Sequence, residues 1–111
     1  MEEPMKGDVV VVPFPFSELT DAKRRPALVV ASLPGDDRIL CQITSRPIRD
    51  SLAVSLEDDD FREGGLRQSS NIRPNRLFTA DRRLILYRIG RLSAAKLTEA
   101  VDAIVKLFQD R

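Results

Sequence analysis

Four consecutive β-branched residues, Val9-Val10-Val11-Val12, run directly into Pro13-Phe14-Pro15-Phe16. Such a run is a buried strand that stops where proline removes donors from the ladder. The same pattern recurs along the chain. Ala27-Leu28-Val29-Val30-Ala31 reads as a second strand, Pro34-Gly35-Asp36-Asp37 as a hairpin turn, and residues 39–44 as the returning strand. Leu52, Val54 and Leu56 alternate with Ala53 and Ser55, the period of a half-buried strand. Glu57-Asp58-Asp59-Asp60 and Gly64-Gly65 make the next loop. Short strands are expected at 69–73, 76–79 and 84–89, with Gly90 as a bend. Ser93 is a good N-cap, and Leu97, Val101, Ile104, Val105 and Phe108 recur at helical spacing on one face. Short strands punctuated by turns, then one amphipathic helix, predict a mainly β chain: a small, strongly bent barrel with a C-terminal helix packed on it. One domain should span residues 1–111, with residues 1–5 a loose N-terminal extension.

Composition narrows the chemistry. There is no histidine, and Cys41 is the one cysteine. Imidazole mechanisms and the usual zinc sites are therefore excluded, and neither a metal nor a cofactor is expected. A lone thiol forms no internal disulfide, so a reducing cytoplasm is the default setting. No stretch is apolar enough to span a membrane, and Met1-Glu2-Glu3-Pro4 does not open like a secretory signal. The formal charge is only +1, but eight arginines between residues 62 and 91 stand against Glu63 and Asp81, a local balance of +6. Arginine forks suit bidentate contacts to phosphate.

Three stretches together resemble the MazF/PemK toxin family. The first is Gly7-Asp8-Val9-Val10 through Phe16, then Lys23-Arg24-Arg25-Pro26-Ala27-Leu28-Val29-Val30. The second is Ile43-Thr44-Ser45. The third is Ser69-Ser70-Asn71-Ile72-Arg73 with Leu77-Phe78-Thr79, and Gly90-Arg91-Leu92-Ser93 before the helix. The resemblance covers residues 6–108 and implies an SH3-like barrel that dimerises and cuts single-stranded RNA (mRNA) without metal, leaving a cyclic phosphate. It also implies a cognate antitoxin whose tail occupies the RNA groove. The family's functional arginine and threonine fall on Arg25 and Thr44, and a third arginine falls on Arg73.

These residues fit the reaction the resemblance implies. When a ribose 2′-OH attacks the adjacent phosphorus, charge builds on the phosphoryl oxygens and needs donors. Arg25 presents a permanently charged fork, and the Thr44 hydroxyl can donate to the same phosphate. Arg73, Arg24, Ser45, Arg46, Asn75 and Ser70 are candidate RNA contacts. Glu18 and Asp21 are the candidate proton acceptors. Some relatives carry a carboxylate two residues after the third arginine, whereas this chain has Asn75, which takes no proton. Residues 17–24, 46–51 and 57–65 are expected to rim the groove. Phe14, Phe16 and Phe78 read as core, and Phe61, beside four carboxylates, as an exposed contact. Two other readings stand beside the nuclease. A same-fold gyrase-poisoning toxin would carry a tryptophan near its end, and this chain has none. A non-catalytic SH3-like binding module is the other, favoured by Asn75 and disfavoured by Arg25 with Thr44.

Overall fold

The computed structural model describes residues 3–14 and 23–111. Among them, strands β1 (Asp8–Phe14), β2 (Lys23–Ser32), β3 (Asp37–Thr44), β4 (Val54–Leu56), β5 (Phe61–Gly64), β6 (Ser70–Asp81) and β7 (Tyr87–Leu92) precede one helix, α1 (Ala94–Asp110). The strands form a single antiparallel sheet in the order β4-β6-β3-β2-β1-β7-β5. This is the mainly β architecture with a C-terminal helix that the strand pattern implies.

Because side chains alternate across a strand, the sheet carries two cores. On one face, Val9, Leu28, Cys41, Ile43, Ile72, Val54, Leu56 and Leu92 pack with Ala100 of α1. On the other, Val10, Val12, Ala27, Val29, Leu40, Ala80 and Ile85 form a second cluster, with Phe78 against it. On β1, β2 and β3 the two clusters take alternate positions of the same strand. That second face leads to an open groove.

The curled sheet brings its two edge strands under the start of α1. Lys96, in the first turn of that helix, sends its ammonium into the seam: Nζ donates to the Ser55 carbonyl on β4 at 2.9 Å and lies 3.6 Å from Asp60 beside β5. Glu99 completes its partners at 2.9 Å. Ser93 caps the helix as expected, accepting the Lys96 N–H at 3.2 Å.

Several local expectations are corrected. The separate strands at 69–73 and 76–79 are one strand, β6, running through the buried Pro74. It tolerates proline because the pairing with β3 slips there: Cys41 faces Leu77, but Ile43 faces Ile72. The slip is a bulge in which proline's missing donor breaks no ladder bond, and the Arg73 carbonyl accepts instead from the Cys41 thiol at 2.9 Å. The acidic run is a 3-10 turn at Asp58–Asp60, followed by the unforeseen strand β5. Residues 82–84 form another 3-10 turn, and Gly90 lies inside β7 rather than at a bend. A Cβ at Gly90 would sit 2.7 Å from the Glu63 carbonyl oxygen and 2.8 Å from the Phe61 ring, so glycine permits β5 and β7 to meet. Phe61 packs against the first core and is not an exposed contact.

The helix is also rotated from its expected setting. Leu97, Ala100, Ala103 and Ile104 face the sheet, while Phe108 is 70% exposed and Val105 46%. The small Ala100 and Ala103 allow close approach, and the Lys96 anchor fixes the rotation. Finally, the part of the expected loose N-terminal extension that is described is held in place. Pro4 is buried, its carbonyl accepts from Arg38 Nε at 2.9 Å, and Glu3 pairs with Arg38 at 3.0 Å.

Candidate functional site

On β1, β2 and β3 the second core becomes polar toward one end. The positions that continue its alternation are Phe14 after Val10 and Val12, Arg25 before Ala27 and Val29, and Gln42 and Thr44 after Leu40. Where the apolar residues run out, an open groove of about 650 Å3 begins. All four of those residues line it. Arg25 and Thr44 thus share one cleft, although 18 residues of chain separate them.

The groove is cationic. Lys23, Arg24, Arg25, Arg46, Arg73 and Arg76 all line it, and no carboxylate does among the described residues. Of these six, only Arg73 has an ion-pair partner among the described residues, Asp50 at 3.5 Å. Cations converging in a concave site create a focused positive field that attracts a polyanion. Thr44 ends β3, and its hydroxyl accepts the Arg46 N–H at 3.2 Å. A hydroxyl has one donor and two acceptor positions, so its proton stays available to an incoming oxygen. That bond also sets the direction of the chain as it leaves β3, where Ser45, Arg46, Pro47 and Ile48 form a rim.

The expected site residues divide clearly. Arg24, Arg25, Thr44, Ser45, Arg46 and Arg73 come together in the groove. Ser70 does not: it is buried, and its hydroxyl donates to the Gln68 carbonyl at 3.0 Å. Asn75 is exposed but is not part of the lining. The expected rim at 57–65 lies apart from the groove, because β5 is tied to β7 at the far edge of the sheet. Glu18, Asp21 and Phe16, with most of the 17–24 rim, lie outside the described residues. Phe14 meets Phe78 with ring centroids 5.7 Å apart and contributes to the groove as well as to packing.

Lys23 lines the groove as part of the expected 17–24 rim, whereas Gln42 and Arg76 were not anticipated. Arg76 has a structural reason. In a regular strand, residues three apart face opposite ways, so Arg73 and Arg76 could not share a side. The slip at Pro74 breaks the alternation and lets both line the groove. The signal in the sequence was the proline itself.

Among the described residues no helix is long and apolar enough to cross a membrane. No group of three or more metal-binding side chains is gathered among them either.

No curated protein matches the chain. Solved structures do resemble it. A MazE–MazF complex from Deinococcus radiodurans superposes with a TM-score of 0.77 at 22% identity, covering 98% of each chain. An endoribonuclease in complex with its cognate antitoxin, from a mycobacterial species, gives 0.73 at 13% identity over 98% of this chain and 96% of that one. The Mycobacterium tuberculosis toxin MazF-mt6 gives 0.70 at 20% identity over 92% and 96%. At these identities the likeness establishes the fold. The sequence itself goes further, since residues 5–108 match the family described as PemK-like, MazF-like toxin of type II toxin–antitoxin system. With that match spanning the whole sheet and nearly all of α1, the chain belongs to the PemK/MazF-like toxins.

Proposed function

We propose that the cationic groove is the active site of a sequence-specific, metal-independent endoribonuclease that cuts single-stranded RNA. The observation that carries this reading is the meeting of Arg25, Thr44 and five further cations in one cleft. The 2′-oxygen forms a bond to phosphorus as the bond to the 5′-oxygen breaks, and the departing 5′-oxygen takes a proton from water, leaving a 2′,3′-cyclic phosphate and a 5′-hydroxyl. Arg25 directs its fork at the phosphoryl oxygens where charge grows, and Thr44 donates a hydroxyl hydrogen bond that keeps the attack in line. Arg24, Arg46, Arg73 and Lys23 hold neighbouring phosphates, and Ser45 and Gln42 offer hydrogen bonds to unpaired bases. Glu18 or Asp21 accepts the 2′-OH proton. Both lie between Phe14 and Lys23, which line the groove.

By likeness to its relatives the toxin acts in the cytoplasm as a homodimer and is neutralised by a cognate antitoxin. An acidic antitoxin segment suits this groove, so it should compete with RNA. The test is incubation with a long single-stranded transcript in EDTA, comparing the wild type with folded Arg25→Ala and Thr44→Ala. Specific cuts that fall by roughly 100- to 1,000-fold in Arg25→Ala are expected. Gyrase inhibition without RNA cuts would select the poison, and neither activity would select the binding module.

A further inference from the structure

Asp50 sits two residues beyond the Ile48 rim of the groove and uses its two carboxylate oxygens separately. Oδ1 accepts the Leu52 N–H at 2.9 Å, and its own carbonyl accepts from Ala53 at 3.1 Å, so residues 50–53 close a tight turn. Oδ2 faces Arg73 at 3.5 Å. Both side chains are mostly buried, at 15% and 20% exposure. The Arg73 Nε is buried without a partner, which costs a folded protein on the order of 1–3 kcal/mol. Among the described residues nothing but Asp50 restrains this guanidinium by an ion pair. The contact is also longer than the ~2.8 Å of a saturated charge-assisted bond. It therefore steers the side chain while leaving donors free for an anion.

Resting on the nuclease reading above, we infer that Asp50 is a positioning residue: it holds Arg73 aimed into the groove before RNA arrives. A long arginine left alone would lose rotamer freedom on binding, and pre-ordering removes that cost from the reaction. The same carboxylate subtracts one charge from the groove's field. Its removal should therefore strengthen nonspecific RNA binding while weakening catalysis, a combination that simple destabilisation does not produce.

Asp50→Asn separates the two roles, because an amide oxygen still accepts from Leu52 while the charge facing Arg73 is lost. On a long single-stranded transcript, kcat should fall roughly 10-fold with KM unchanged or lower. Binding of a short oligouridylate should depend more steeply on salt, by up to ~0.7 in log K against log salt. Side-chain 15N relaxation of the Arg73 Nε–H should report a rigid guanidinium in the wild type and a mobile one in Asp50→Asn. An equally rigid Arg73 in both, or kcat and KM both within twofold, overturns the inference. A wild type that cuts no RNA sinks the nuclease reading instead, and the relaxation measurement still decides whether Asp50 orders Arg73.

Discussion

Arg25 and Thr44 line one groove from neighbouring strands, each two residues beyond Ala27↔Gln42, the last pair of the β2·β3 ladder on that side. Each is held by its other neighbour: Arg25 pairs with Val12 of β1, and Thr44 with Asn71 of β6. Sheet pairing thus fixes the backbone under both groups.

Rigidity at that point makes the shape of the cation matter. Arg25→Lys keeps the charge but replaces a planar fork with a point donor on a flexible stem. The expected result is a fall in kcat of about 10- to 100-fold with KM changed by no more than a few-fold. Steady-state cleavage of a fluorogenic single-stranded oligonucleotide would show it. A rise in KM with kcat unchanged would mean that Arg25 only binds.

Arg76 has a different task, since it reached the groove through a bulge and has no ion-pair partner among the described residues. Arg76→Ala should weaken binding of unrelated single-stranded RNAs to a similar extent. It should also make the salt slope shallower by up to ~0.7, the signature of one phosphate contact on a single strand. Fluorescence anisotropy across a salt series tests this. A loss confined to one RNA sequence would make Arg76 a base reader.

Much of this arrangement is legible in the sequence. Alternation fixes which residues share a face, so with Ala27, Val29 and Leu40 in one core, Arg25 and Thr44 face the same way. What alternation cannot reveal is a place where it fails. Pro74 marked one, but the size of the slip, and hence Arg76, depends on the pairing with β3. Asp50 was invisible for a related reason. A turn residue in the 46–51 rim segment says nothing about which distant cation it will meet. The same holds for α1, whose apolar spacing favoured a stripe through Val105 and Phe108. A buried lysine outweighed that stripe, because the seam offered a carbonyl and a carboxylate that an apolar residue would leave unpartnered.

That lysine supports a stability prediction. Lys96→Ala removes the donor to the Ser55 carbonyl and the aliphatic stem from the seam, so it should cost about 1–2 kcal/mol. Glu99, whose side chain is 55% exposed, is the contrasting partner. Glu99→Ala should cost under about 1 kcal/mol, as solvated pairs do. Urea midpoints for the two variants should therefore separate clearly. Equal midpoints would mean that Lys96 does not hold the two sheet edges together.

The last prediction concerns Cys41, which lies fully buried in the core that packs against α1, at the β6 bulge. Burial pushes its thiol up from 9.0 to about 12, and the hydrogen bond to the Arg73 carbonyl opposes that only in part. Below pH ~8 the thiol is almost fully protonated in folded and unfolded chains alike, so it adds little pH dependence. Above that, the unfolded chain releases the proton while the folded chain keeps it up to about 12. The unfolded state then binds fewer protons, and stability falls as pH rises through this window, by roughly 1.4 kcal/mol per pH unit at the steepest. Cys41→Ala lacks the titrating group, so its stability should fall less between pH 9 and 10.5 than the wild type's. Unfolding curves at matched pH would reveal the difference, and parallel pH profiles would show that the thiol ionises freely in the folded protein.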